Sequence, residues 1–200
     1  MLKNVEIKAK SEEEALKQAC NILRISEEKV FIDLLEEGEL NTYKAYVDVH
    51  LGLEGKKYLT RILNDLGIEF QLEIRTQNDF KELFFTIQSE ENALLIGKNG
   101  KNLEAFQILL STYLKEFTDE DIRVVLDIGN YKEQRKKQLE IIATKIAKEV
   151  AKTKREVKLE PMNSYERRII HTKLSDWRDV YTESVGEGQN RRLVIKPKKK

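Results

Sequence analysis

Cysteine is nearly missing from this chain. Cys20 stands alone among 200 residues, so no internal disulfide can form and a reducing compartment is expected. With only two histidines there is no Cys/His cluster of metal-binding spacing, and no metal or other cofactor is expected. Cys20 lies on the apolar side of a helical pattern, with no His or Asn partner close in sequence. It reads as a small core residue rather than a nucleophile. Long hydrophobic runs are missing too. None approaches the roughly 20 residues that cross a bilayer, and Met1-Leu2-Lys3-Asn4-Val5-Glu6 has no apolar signal region. The expected location is the cytoplasm. A Walker loop and a nucleophile–base set are also absent, which argues against a nuclease or ATPase and for a protein that is not an enzyme.

Charge, by contrast, is abundant. Charged residues make up 36% of the chain against 40% hydrophobic, with a net charge of +1. That near-neutral total conceals a split. Residues 131–200 hold 20 Lys/Arg and 10 Asp/Glu, a net of +10, whereas residues 1–130 hold 16 and 25, a net of −9. Charge-rich helices are ordinarily solvated surface, but that does not explain segregation by sign. A basic rear half suits a polyanion such as nucleic acid. The length allows one or two ordinary domains, or three small ones.

Residues 1–51 read β-α-β-β. Val5 to Ala9 alternates apolar and polar, as a half-buried strand does. Ser11 with Glu14 forms a capping box, and Ala15, Leu16, Ala19, Ile22 and Leu23 make one helical stripe. Val30 to Leu35 is a strand ending before Gly38, and Tyr43 to Leu51 alternates again. With 7 basic and 11 acidic residues, this segment suits docking to proteins better than binding nucleic acid.

Residues 52–129 read α-β-β-α-α-β. Leu59, Ile62, Leu63 and Leu66 stripe the first helix, which Gly67 ends. Phe70–Thr76 and Leu83–Ile87 are strands around an Asn78-Asp79 turn. A short helix from Glu90 to Ile96 runs into Gly97-Lys98-Asn99-Gly100, and a second helix leaves it, striped by Leu103, Phe106, Leu109, Leu110, Tyr113 and Leu114. Ile122–Ile128 is the last strand. Two glycines three apart let the backbone turn sharply with no side chain in the way. The following helix offers free N–H groups and its positive end, and Lys98 and Lys101 add cations. The plain alternative is a helix–turn–helix corner with a glycine cap. The stretch Ile96 to Lys101 resembles the loop of the type II KH module, which clamps about four nucleotides. With 9 basic and 14 acidic residues in 52–128, such contacts are expected to be weak and salt-sensitive.

Residues 130–200 read α-β-α-β-β. Leu139, Ile142, Ala143, Ile146, Ala147 and Val150 stripe a long helix. Lys132, Arg135, Lys136 and Lys137 load its first turns against the dipole preference, so local helix energetics give no reason for that cluster. A short strand over Glu156–Leu159 stops at Pro161, and Asn163 or Ser164 caps the next helix. Its buried side is expected to carry Ile169, Ile170 and Leu174, while Arg167 and His171, four apart, share a face. Val180–Ser184 and Arg191–Ile195 form a hairpin around Gly186–Asn190, and the lysine-rich tail frays. Arg can pair with phosphate and stack on a base. His can stack, or donate once protonated. An Arg–Glu surface pair and a satisfied histidine are the plain alternatives.

Arg167, His171, Ser184, Gly186, Glu187, Gly188, Arg191 and Arg192 match the motif of the Arg-x-x-x-His domain, which the segment resembles. A KH module followed by that domain, behind a small strand–helix–strand front, is similar to the Jag (SpoIIIJ-associated) family over nearly the whole chain. The resemblance implies an α+β protein of three modules, at 1–51, 52–129 and 130–200. It implies a cytoplasmic bacterial RNA-binding protein, a post-transcriptional regulator affecting cell elongation and division, with a protein-interaction scaffold as the alternative. The ligand implied is single-stranded RNA, with single-stranded DNA open. The nucleic-acid-binding residues implied are Ile96, Gly97, Lys98, Asn99, Gly100 and Lys101 together with the eight of the rear motif. The partners implied are a small single-KH protein or a second copy through the KH module, and a membrane insertase or division protein through residues 1–51. Where the family often has a Gly-Phe-Leu-Gly segment and a linker, this chain has Glu36 to Thr42 and almost no linker.

Overall fold

A computed structural model describes residues 2–78 and 81–198. Among the described residues the fold is mixed α+β, with three three-stranded sheets. Residues 1–129 and 130–200 form two compact units. Asp79 and residues 199–200, part of the expected turn and tail, lie outside the described residues.

The first unit begins with β1 (Asn4–Ala9), α1 (Glu12–Leu23), β2 (Val30–Glu36) and β3 (Asn41–Val47). The strands pair antiparallel in the order β1-β3-β2. Ser11 Oγ accepts the Glu14 N–H at 3.3 Å, and the Glu14 carboxylate accepts the Lys10 N–H at 3.1 Å, so the cap closes one residue earlier than a standard box. Ala15 and Ala19 are buried under α1, but Ile22 is 59% exposed. Strand β3 stops at Val47, and Leu51 opens the next helix instead of closing the strand, because His50 caps that helix, its Nδ1 accepting the Leu53 N–H at 3.2 Å.

The unit continues with α2 (Leu51–Asp65), β4 (Gln71–Gln77), β5 (Glu82–Gln88), α3 (Asn92–Ile96), α4 (Lys101–Lys115) and β6 (Arg123–Ile128). Strand β5 is central, antiparallel to β4 and parallel to β6. Helix α2 packs on β4 and α4, and α4 packs on β6. Gly55 permits this closeness: a Cβ there would lie 2.5 Å from Cζ of the buried Phe85. Leu66 and Leu109 are 57% and 49% exposed, so the buried stripes are narrower than the apolar pattern.

The two sheets of this unit are joined. Lys3 N–H donates to the Phe117 carbonyl at 3.0 Å. Lys29 Nζ meets the Glu54 carboxylate at 2.6 Å and lies 4.8 Å from the Phe117 ring centre. Tyr113 donates its hydroxyl to Glu54 at 3.1 Å and stacks on Tyr58, ring centres 4.3 Å apart. Burial pushes the Glu54 carboxyl up, but hydrogen bonds and charge from Lys29 and Lys57 outweigh it and hold it below its ordinary range.

The second unit is α5 (Tyr131–Thr153), β7 (Val157–Pro161), α6 (Ser164–Leu174), β8 (Val180–Val185) and β9 (Arg192–Pro197). The sheet order is β7-β9-β8, antiparallel throughout. Leu139, Ala143, Ala147 and Val150 of α5 meet Ile170, Leu174, Val180, Leu193 and Ile195 in one core. Ile142 is 40% exposed, off that core. Lys196 and Pro197, expected in a frayed tail, belong to β9, and Lys196 reaches Glu183 at 2.6 Å. Among the described residues no helix is long and apolar enough to cross a membrane, and no group of three His, Cys, Asp or Glu is placed to hold a metal.

Candidate nucleic-acid interface

The loop after α3 is built by backbone conformation. Gly97 has φ 69° and ψ 179°, a region essentially closed to residues with a Cβ. Asn99 and Gly100 follow at φ 55° and 77°. Gly100 N–H donates to the Gly97 carbonyl at 3.2 Å. A Cβ on Gly97 would lie 2.6 Å from Cγ of Asn102. That side chain crosses the loop and donates Nδ2 to the Leu94 carbonyl at 2.8 Å, tying the start of α4 to α3. Helix α4 has no side-chain cap. Lys98 and Lys101 are exposed, Ile96 and Asn99 half-buried and Gly100 buried. The expected loop residues are thus contiguous on one corner, with the two cations Lys98 and Lys101 exposed there and the Gly97 and Gly100 amides bonded within the corner. Asn102 was absent from the sequence expectation. Its signal is a short amide side chain two residues beyond the second glycine.

In the second unit, Asn163 caps α6, its Oδ1 accepting the Glu166 N–H at 3.0 Å. Arg167 Nη1 donates to the Met162 carbonyl at 2.7 Å, and Met162 N–H donates to the Arg191 carbonyl at 3.3 Å. Arg167 is thereby held beside the start of β9. One turn on, His171 Nδ1 lies 2.6 Å from Thr182 Oγ1. Thr182 and Ser184 share the strand face on which α6 packs. The hairpin between β8 and β9 turns with Gly186 at φ 83° and Gly188 at φ 52°. Arg192 Nε donates to the Asn190 carbonyl at 3.2 Å. Ser184, Glu187 and Arg191 are exposed and Arg192 half-buried. The half-buried Arg167 and the exposed His171 therefore share one edge of α6, flanked by the hairpin. Met162 and Thr182, which position them, carry no sequence signal of that role.

The basic cluster at the start of α5 does have a structural reason in part. Arg135 Nε donates to the Glu166 carboxylate at 2.7 Å, the two side chains 17% and 7% exposed. Lys137 pairs with Glu133 at 2.7 Å. The expectation that helix energetics leave the whole cluster unexplained is corrected for these two.

A long helix followed by a strand, then a helix bearing Arg and His four apart and packed on a glycine hairpin, is the arrangement of an Arg-x-x-x-His-domain protein. The family model for that domain matches residues 137–197. The RNA-binding protein KhpB of Clostridium symbiosum is 34% identical over 212 residues, covering 98% of this chain and 92% of that one. The RNA-binding protein KhpB of Bacillus subtilis is 34% identical over 218 residues, covering 99% and 100%. A protein of the same name in Streptococcus pneumoniae is 28% identical over 190 residues, covering 92% of this chain and 56% of its own. The chain belongs to the KhpB family.

Proposed function

We propose that this protein binds single-stranded RNA and regulates expression after transcription, with no catalytic step. The observation that carries this reading is the edge of α6, where Arg167 and His171 are held side by side in a half of net charge +10. Arg167 supplies phosphate pairing or base stacking, and His171 supplies stacking or a proton-bearing donor. Ser184, Gly186, Glu187, Gly188, Arg191 and Arg192 frame the strand from the hairpin. In this reading residues 52–129 are a type II KH module. Its Gly97–Gly100 loop, with Ile96 and Lys101, lies along the sugar-phosphate backbone. Residues 130–200 are the second nucleic-acid-binding module, and residues 1–51 are a docking module. The protein works in the cytoplasm and acts on cell elongation and division.

Exposed Ile108 and Leu109 on α4 support a small single-KH protein, or a second copy, as partner there. Phe31, Leu35 and Leu40, 46%, 52% and 47% exposed on the acidic front segment, favour a second reading. In it the front docks a membrane insertase or division protein and RNA is incidental. Fluorescence anisotropy with a labelled single-stranded RNA, and matched DNA as competitor, separates the two. Tight binding by the full chain that prefers RNA and weakens steeply with salt supports the regulator. No binding at low salt overturns it in favour of the scaffold.

A further inference from the structure

A second basic surface lies on the other flank of α6. An open groove of about 700 Å³ runs along α5, lined by Lys137, Ile141, Lys145 and Lys148, with Lys173 of α6 beside them. Lys173 is two residues past His171, about 200° round the helix. The buried stripe of Glu166, Ile170 and Leu174 runs between the two flanks, so the groove is distinct from the Arg167–His171 edge. On α5, residues 137, 141, 145 and 148 follow the three- and four-residue steps of one helix face. They span about 16 Å, the length of about five stacked nucleotides at roughly 3.4 Å each.

Three of the four lysines of this groove hold nothing together. Lys145, Lys148 and Lys173 are exposed and make no ion pair or hydrogen bond to another described residue. Lys137 is engaged by Glu133, and Glu140 is the one carboxylate in the lining. Ile141, 69% exposed between the lysines, offers an apolar surface to a base or ribose. A helix face stabilised for its own sake pairs lysine with glutamate. This one leaves three cations open around an isoleucine.

We propose that this groove is a second RNA-binding surface, taking the phosphate backbone of the strand beyond the segment held at Arg167 and His171. The inference rests on the RNA-binding reading above. It places three phosphates on Lys145, Lys148 and Lys173, and makes affinity depend on RNA length.

The test uses the full chain and its K145Q/K148Q/K173Q variant, with labelled single-stranded RNAs of about 6 and about 20 nucleotides, a range spanning one to several binding modules. Both proteins are titrated across a salt series. Each phosphate contact contributes about 0.7 to the log–log salt slope of a single strand. The variant's slope for the long RNA should fall by about 2. Between about 50 and 200 mM salt the wild type then loses about 20-fold more affinity than the variant. Binding of the short RNA should not change, and melting curves should coincide, because the three lysines are exposed. A long-RNA slope equal to wild type overturns the proposal and leaves the groove to an acidic protein surface. An equal fall for both probes also overturns it, since that is a general field effect. Failure of the wild type to bind either RNA sinks the RNA-binding reading itself.

Discussion

Gly97→Ala is the substitution whose cost can be worked most directly from the loop geometry. At φ 69° and ψ 179° an alanine sits in a region that costs about 1–3 kcal/mol. Its Cβ would also lie 2.6 Å from Asn102 Cγ, so Asn102 must swing out and lose its 2.8 Å bond to the Leu94 carbonyl. A hydrogen bond of this kind is worth about 0.5–1.5 kcal/mol. Together these put the loss at roughly 2–4 kcal/mol, falling on the unit that contains residues 1–129. Urea unfolding followed by circular dichroism measures it. The Asn102→Ala variant separates the two parts, because it loses the same hydrogen bond while leaving glycine in place. The double variant should fall short of additivity by about 1 kcal/mol. A Gly97→Ala midpoint equal to wild type, or strict additivity with Asn102→Ala, would refute the geometry argued for this loop.

Glu54→Gln removes the negative charge that joins Lys29, Lys57 and Tyr113 and turns one of its two acceptor oxygens into an amide donor. Lys29 keeps some access to water, so the expected loss is about 2 kcal/mol at neutral pH. The carboxyl sits below its ordinary range when folded. Its contribution is therefore complete above the unfolded value of about 4.3 and is lost as pH falls through the lower folded value. Unfolding midpoints of wild type and variant should converge in acid, and a gap independent of pH would contradict this. Arg135→Ala strands the Glu166 carboxylate, on a side chain 7% exposed, at a cost of about 3 kcal/mol. A thermal melt of the variant unchanged from wild type would show that the pair is not coupled to folding. Burial first, and then Glu27, push the Cys20 thiol up. A disulfide reagent near neutral pH should label it more slowly in the native chain than in urea, and equal rates would count against that environment.

The order of helices and strands was legible because each is amphipathic and punctuated by a cap or a glycine. Ser11, Gly67 and Asn163 mark ends that the structure keeps. The apolar stripes were read too wide. Ile22, Leu66, Leu109 and Ile142 follow the three- and four-residue spacing yet are exposed, because a thin sheet covers only part of a helix's apolar arc. Leu51 continued a period-two pattern into a helix, since His50 caps through a ring nitrogen that pattern reading does not weigh. At the candidate site, Gly97, Gly100, Arg167 and His171 were visible as motifs. What holds them, namely Asn102, Met162 and Thr182, acts through contacts between elements and leaves no local pattern. The pairing of Arg135 with Glu166 spans 31 residues, so the sequence showed only a surplus of charge. The joining of the two front sheets through Lys29 and Glu54 was equally out of reach of any local pattern.

The most direct test of the central claim compares two changes in one anisotropy assay on a single-stranded RNA. One protein carries Arg167→Ala with His171→Ala, and the other carries Lys98→Asp with Asn99→Asp. Residues 131–200 hold a net of +10 and residues 1–130 a net of −9, so the rear edge should dominate affinity. The larger loss is expected from the Arg167/His171 pair. A larger loss from the loop pair would contradict it and move the principal RNA contact to the Gly97–Gly100 corner.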